Sequence, residues 1–363
     1  MLKPVFEDLL RRTNLNPSLV EDITVGNVLQ IGSGEFQARI ASFLAGFPYT
    51  TSVVAINRLC SSGLEACAII ASKIKLGSID IGIGAGVENM SMYDMNKSVD
   101  PEKLSDAVFE HEQARNCLIP MGVTSENVAE KYNVSKLDQD KLAVDSHRKA
   151  AFAQEQGLFD SEIVSFTVTV KDKDGNEKQV VVNKDDGIRK ETTVQSLQKL
   201  KPAFKKDGST TAGNASQVTE GAAGVLLARR SVAQKLGLPI LAKFVTYSVS
   251  GVPPEIMGVG PAFAIPEALK KAGLKTTDID IYEINEAFAS QALYCCQKLG
   301  LDMKKVNPKG GAIALGHPLG CTGARQIATL IPELKRQKAK YGVVSMCIGS
   351  GMGAAAVIQN EQN

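Results

Sequence analysis

Hydrophobic positions recur along this chain in two alternating rhythms. Short β-branched runs at Ile23-Thr24-Val25, Val53-Val54-Ala55-Ile56 and Ile79-Asp80-Ile81-Gly82-Ile83 read as strands. Between and around them, apolar residues fall at helical spacing, through Leu10 at the start and at Ala66, Ile70 and Ile74 further on. The 53–56 run reads as a buried strand, and the capping-prone Ser61, Ser62 and Gly63 then open a long amphipathic helix. Strands separated by helices of this length imply right-handed crossovers and a largely parallel sheet, so residues 1–90 read as an α/β unit. Over 91–216 the pattern changes to polar loops, helices and one hairpin. Ser135-Lys136-Leu137-Asp138 reads as a capping box opening a helix through Ala153, and Asp174-Gly175 turns strands over 162–170 and 179–182. This stretch reads as an inserted subdomain. Residues 217–238, rich in glycine and alanine and then helical, return to the first unit. From 239 to 363 the alternation resumes, with strands over 241–249, 279–284 and 342–348, a helix over 261–272 and another from Glu286.

The two ends resemble each other. The segments 23–27 and 53–63 parallel 279–285 and 306–323, and Asn27 precedes Cys60 by 33 residues much as Asn285 precedes His317 by 32. Two copies of one half, packed together, is the architecture this repeat implies.

Composition narrows the class. At 363 residues, 44% apolar, the chain can bury a substantial core. Lys and Arg number 41 against 39 Asp and Glu, interspersed, which argues against a nucleic-acid surface. No apolar run is long enough for a membrane span, and no secretory signal opens the chain. Seven cysteines without CxxC spacing suit a reducing compartment and no structural zinc site.

Reactive residues concentrate on four glycine-rich stretches, each following an expected strand, where open α/β sheets gather their ligands. The first is Cys60-Ser61-Ser62-Gly63. A cysteine at a strand-to-helix turn meets free N–H groups and the positive end of a helix dipole, which favour a thiolate and lower its pKa. By identity alone it would pass as a small buried hydrophobe; its position singles it out. The second stretch is Asn285-Glu286-Ala287-Phe288, and the third runs from Gly310 through His317-Pro318. His317 alone would suit a structural role, but a thiol elsewhere offers it a partner. His111 and His147 lie in charged surroundings and read as solvated. The fourth is Cys347-Ile348-Gly349-Ser350-Gly351-Met352-Gly353, whose glycines leave backbone N–H groups free for an oxyanion, or simply turn one strand into the next. Neither this run nor Gly82-Ile83-Gly84-Ala85-Gly86 completes a dinucleotide fingerprint. Cys67, Cys295 and Cys296 fall on expected helices and read as core.

Together, these four stretches in this order resemble the signatures of thiolases across nearly the whole chain. Cys117-Leu118-Ile119-Pro120-Met121-Gly122 and the segment from Gly251 to Gly258 are most similar to fungal-like, peroxisomal-type 3-ketoacyl-CoA thiolases. Biosynthetic acetoacetyl-CoA thiolases typically carry His-Met where this chain has Pro120-Met121, which points to longer acyl chains. The resemblance implies a thiolase fold, α/β, with two similar βαβ-type halves (1–90 with 217–238, and 239–363) packed as αβαβα layers around the 91–216 insertion. It also implies the roles: Cys60 as acyl-accepting nucleophile, His317 as its activator and a holder of the thioester oxygen, and Asn285 as the anchor of a water in that first oxyanion hole. Cys347 would be the acid/base, and the N–H groups of Cys60 and Gly349 a second oxyanion hole. Ser216, Ser196 and Arg189 would contact coenzyme A, with Met121, Met257 and Phe288 lining the acyl and pantetheine path. The substrates implied are acyl-CoA and CoA, with no metal and no cofactor beyond CoA as co-substrate, and the assembly a homodimer.

Thiolases begin with a strand and a helix before the helix expected at 1–10, so an edge of the first half is expected to be incomplete and any targeting peptide out of view. The final Asn360-Glu361-Gln362-Asn363 is not an SKL-type address. By resemblance the compartment is the peroxisome, with mitochondrion or cytoplasm as alternatives. Two other functions fit the same residues: an acetyl-CoA C-acetyltransferase running in the condensing direction, and a thiolase-like binding protein without catalysis.

Overall fold

The computed structural model describes residues 1–95 and 99–362; Asn96, Lys97, Ser98 and Asn363, which belong to the expected insertion and C-terminal half, lie outside them. The first half runs α1 (Leu2–Thr13), β1 (Asp22–Gly26), α2 (Glu35–Leu44), β2 (Ser52–Ile56), α3 (Ser62–Leu76) and β3 (Ile81–Asn89). A segment of α4 (Asp106–Glu110), α5 (Glu112–Asn116), α6 (Met121–Lys131), α7 (Lys136–Glu155), the hairpin β4 (Phe166–Lys171) and β5 (Glu177–Val182), and α8 (Val194–Gln198) follows. The chain then returns through β6 (Glu220–Ala228) and α9 (Arg230–Lys235). The second half holds β7 (Ala242–Gly251), α10 (Gly260–Ala272), β8 (Ile281–Ile284), α11 (Ala289–Leu299), α12 (Ala312–Leu315), α13 (Leu319–Arg336), β9 (Tyr341–Ile348) and β10 (Met352–Asn360).

Each half builds a four-stranded sheet, ordered β2-β1-β3-β6 and β7-β10-β9-β8. In the first, β1 is parallel to β2 and β3, while β6 closes antiparallel on β3. In the second, β8 is parallel to β9, β10 closes antiparallel on β9, and a single parallel bridge from Val306 to Tyr282 takes the place of β2. The halves therefore share one topology, except that β7 extends the second sheet beyond β10. Along the corresponding outer edge of β6 runs a cavity of about 1330 Å³, lined by Leu9, Val225, Leu227, Leu241, Phe244 and Ile331.

Helices α3 and α13 lie between the sheets. Leu64 and Cys67 of α3 share one core with Ala324, Ile327 and Leu330 of α13 and with Val344, Met346 and Ala356 of β9 and β10. Outer cores join α1 and α2 to the first sheet and α10 and α11 to the second, completing five alternating layers. Each buried aliphatic side chain contributes about 1.5–3 kcal/mol relative to exposure, so this doubly covered middle layer carries much of the fold. The two central helices meet near their N-terminal turns: a Cβ on Gly63 would sit 2.6 Å from the Gly320 carbonyl oxygen, and one on Gly323 2.3 Å from the Leu64 nitrogen. That contact brings the Cys60 turn of one half beside the His317 turn of the other.

Several expectations need correction. The strand at 52–56 is an edge strand, half-exposed, with Val54 38% accessible, because among the described residues no strand pairs with β2 on its free side. The first hairpin strand begins at Phe166 rather than 162, and the pair runs closer to the turn than expected, to Lys171 and from Glu177, because the turn over 172–176 is held tight by Asp172 accepting from the Asp174 and Asn176 N–H groups. The helix placed at Glu286 starts at Ala289. Residues 285–288 stay extended because the Ala287 carbonyl accepts from Ser216 and the Phe288 backbone bridges Ala215.

Candidate active site

Cys60 lies in the turn between β2 and α3. The turn is braced from within: Leu59 takes a left-handed φ of 48°, its N–H donates to Asn57 Oδ1 at 2.8 Å, and the Arg58 N–H donates to Ser62 Oγ at 2.9 Å. The Ser61 and Ser62 hydroxyls donate back to the Arg58 and Leu59 carbonyls, and Ser61 makes no side-chain cap bond to α3. The serines thus shape the turn rather than cap the helix, and the first helical N–H groups stay free of them. The N–H groups of Gly349 and of Cys60 itself face the Cys60 sulfur. They do not yield the lowered pKa expected from the turn. Burial pushes the Cys60 thiol up to about 11, outweighing both N–H groups, and the Glu88 carboxylate adds to the rise. The residue keeps some accessible surface, yet its sulfur sits deep within the protein mass.

Cys347 sits on β9 with no accessible surface and packs with Met257 and Ala287, flanked by Met121 and Phe288. Its thiol is raised well above the ordinary range by burial, with a further push from the Cys60 sulfur. Gly349 follows on the bend into β10; a Cβ there would lie 3.3 Å from Leu59 and 3.4 Å from the Met121 sulfur, which places the Gly349 backbone against the Cys60 turn. Ser350 (φ 63°) and Gly351 (φ 95°) make the reversal, and at Gly351 any side chain would strike the Val252 carbonyl at 2.4 Å.

His317 is 4% exposed, between the single turn of α12 and the start of α13. Asn285 Nδ2 donates to its Nε2 at 3.3 Å, so Nδ1 carries the proton and donates to Thr322 Oγ1 at 2.6 Å. Burial pushes the imidazole down to about 3, and the Arg325 charge lowers it further, so the ring is neutral at ordinary pH. Asn285 is itself fixed, its N–H donating to the Ser345 carbonyl and its carbonyl accepting from Gln291 Nε2, while its Oδ1 is buried without a protein partner. Glu286 locks the loops around it by accepting from Ser146 Oγ at 2.7 Å, Asn307 Nδ2 at 2.8 Å and the Ile313 N–H.

The structure therefore joins Cys60 to Gly349 and Cys347, Cys347 to Met121, Met257 and Phe288, and His317 to Asn285. Among the described residues Cys60 makes no hydrogen bond to His317. Ser216 reaches the rim, its N–H donating to the Ala287 carbonyl at 3.0 Å. Arg189 and Ser196 are exposed and line a separate open cleft of about 530 Å³ with Ile188 and Lys190. The Ser196 hydroxyl is engaged in the α8 capping box with Thr193. His147 is not solvated: it is buried and its Nδ1 accepts the Arg189 N–H at 3.1 Å, while His111 is exposed as expected. The cavity beside β6 is lined by none of the two cysteines, His317 and Asn285. Among the described residues, no three His, Cys, Asp or Glu side chains group as metal ligands would, and no helix is long and apolar enough to cross a membrane.

Sequence reasoning missed Thr322 and Glu88. The first gives no motif, only a hydroxyl five residues past a histidine. The second had a signal, a lone carboxylate ending an otherwise apolar strand.

Known proteins match this arrangement. The family description "Thiolase, N-terminal domain" fits residues 1–231, and "Thiolase, C-terminal domain" fits 238–360. The chain is 58% identical to the peroxisomal 3-ketoacyl-CoA thiolase B of Rattus norvegicus over 364 aligned residues, covering 100% of this chain and 85% of that protein. The dimeric peroxisomal thiolase of Saccharomyces cerevisiae superposes with a TM-score of 0.90 at 51% identity, covering 99% of this chain and 90% of that one. Human mitochondrial 3-ketoacyl-CoA thiolase in complex with CoA superposes at 0.87 with 38% identity, covering 99% and 91%.

Proposed function

The chain belongs to the thiolase family, and from that premise we propose that it is a degradative 3-ketoacyl-CoA thiolase of fatty-acid β-oxidation in the peroxisome, using CoA as co-substrate. The observation that carries the reading is the meeting of two thiols at one pair of backbone N–H groups: the Cys60 and Gly349 N–H groups face the Cys60 sulfur, and that sulfur in turn acts on the Cys347 thiol. Cys60 faces the N–H of Gly349, itself two residues past Cys347.

The chemistry follows from those placements. The Cys60 sulfur attacks the 3-keto carbon, and its proton passes to the unprotonated Nε2 of neutral His317, displacing the bond that Nε2 accepts from Asn285 Nδ2. The keto oxygen becomes an oxyanion held by the Cys60 and Gly349 N–H groups. As that carbonyl re-forms, the bond between C2 and C3 breaks and its electron pair leaves on acetyl-CoA. The enolate's thioester oxygen is met by the Nε2–H that His317 now carries and by a water on the unpaired Oδ1 of Asn285. Cys347 donates its proton to C2. Its thiolate then takes the proton of incoming CoA, whose sulfur attacks the acyl-cysteine and expels Cys60, which recovers its proton from His317. Met121, Met257 and Phe288 line the apolar side of this path, and Ser216, Ser196 and Arg189 mark the direction of the CoA chain. The division into two halves around a 91–216 insertion belongs to the same reading, the insertion supplying the CoA-side residues.

The functional unit is a homodimer. On one face of α2, Phe36, Ile40, Phe43 and Leu44 are 79%, 56%, 47% and 60% exposed, beside the free edge of β2. An apolar surface of this kind suits a second copy of the chain.

The test is thiolysis of acetoacetyl-CoA and longer 3-ketoacyl-CoA. Cys60→Ala abolishes it, and full activity in that variant would remove the proposal. Cys347→Ala blocks carbon–carbon cleavage, while intact-mass analysis after treatment with acyl-CoA, which acylates by thioester exchange, still finds an acyl adduct on Cys60. CoA binding without any adduct in the unmodified protein would instead mark a binding protein.

A further inference from the structure

We infer that Glu88 is a positioning residue for His317, holding the imidazole in place from the other half of the molecule. The inference rests on the roles of Cys60 and His317 just proposed and adds a residue that has none of its own in that chemistry.

Glu88 has no accessible surface, and both of its oxygens are occupied by N–H donors. Oε1 accepts from Leu29 N–H and Asn27 Nδ2, each at 3.2 Å, and Oε2 from Val28 N–H at 3.0 Å and Gly320 N–H at 3.1 Å. Three of these donors lie in its own half. The fourth, Gly320, lies in the first turn of α13, where Pro318 at the N-cap supplies no side-chain bond. A buried carboxylate from β3 thus satisfies a helix N-terminus of the opposite half, where orphan N–H groups and the helix dipole both favour negative charge. The same turn carries Thr322, which accepts from His317 Nδ1. The tie runs from carboxylate to Gly320, through one helical turn, to the tautomer and direction of the ring.

The internal repeat explains why the carboxylate stands there. Gly26 pairs with Gly86 as Ile284 pairs with Ser345. One residue on from Gly26 and Ile284 stand Asn27 and Asn285, and two on from Gly86 and Ser345 stand Glu88 and Cys347. Glu88 therefore occupies in the first half the position that Cys347 occupies in the second, and Asn27 that of Asn285. One half uses the position for chemistry and the other for anchoring.

Glu88→Gln replaces one acceptor oxygen with a donor facing N–H groups, so it loosens the Gly320 turn. The experiment measures Cys60 acylation by acyl-CoA, as single-turnover rate and as KM, in the unmodified protein, Glu88→Gln, His317→Ala and the double variant. We expect Glu88→Gln to slow acylation at least tenfold with KM changed less than twofold. In the His317→Ala background the same change has less than a twofold effect, because its route of action is gone. An unchanged rate in Glu88→Gln, or an equal loss in both backgrounds, overturns the inference. If His317→Ala itself leaves acylation untouched, the role given to His317 fails instead. Should Glu88→Gln not fold, Glu88→Asp, one methylene shorter and still charged, enters the same cycle with the same criteria.

Discussion

A thiol pushed to about 11 and an imidazole pushed to about 3 do not exchange a proton at rest. Near neutral pH both stay uncharged, so Cys60 and His317 are not a preformed ion pair, and proton transfer accompanies attack on the substrate. It follows that the acylation rate is flat between pH 5 and 9, measured by rapid-quench acyl-enzyme formation; limbs near 6.5 and 9 would show that the two titrate in the working range. Burial of neutral His317 also has a stability consequence. The unfolded chain's histidine takes its proton around 6.5, whereas the folded residue does so only near 3, so the unfolded state binds more protons below 6.5. Stability therefore falls as pH drops through that window. This one group costs about 2 kcal/mol between pH 7 and pH 5, read as a lower urea midpoint that His317→Phe does not reproduce. At this scale the residue types and their order were legible in the sequence. The direction of the Cys60 pKa was not, because a turn at a helix start is visible locally while the depth of its burial depends on elements far away in the chain.

At the scale of elements, the site exists because α3 and α13 approach backbone to backbone. With Gly323 pressed against Leu64, Gly323→Ala forces the helices apart and costs about 1–3 kcal/mol, seen as a lower melting temperature. The same displacement separates the Cys60 and His317 turns, so thiolysis falls by more than tenfold while CoA-side contacts of the insertion persist. Helix and strand periods located α3 and α10 well, and a continuous apolar run located β9, which is buried on both faces. They failed at 285–288, where an apparent helix start is held extended by the Ala215–Ser216 backbone, and at β2, whose apolar residues signal burial that this chain alone does not supply.

For the whole molecule, two like-folded halves place the Cys60 turn and the His317 turn at their shared middle layer, and the exposed face of α2 with the edge of β2 suits the proposed second copy. Charging that face, as in Phe36→Lys with Val54→Lys, is expected to convert a two-chain species to one chain in sedimentation, whereas the same charges at the exposed Leu137 and Phe152 of α7 leave it unchanged. The sequence by itself determined the alternation of strand and helix, the internal repeat, and the four glycine-rich stretches that carry Cys60, Asn285, His317 and Cys347, since these follow from local periodicity and residue chemistry. Only the tertiary structure decided which N–H groups face the sulfur, how burial sets the charge of each group, and that Glu88 reaches Gly320 across the halves. Those depend on distances between residues hundreds of positions apart, which packing fixes and local pattern does not encode.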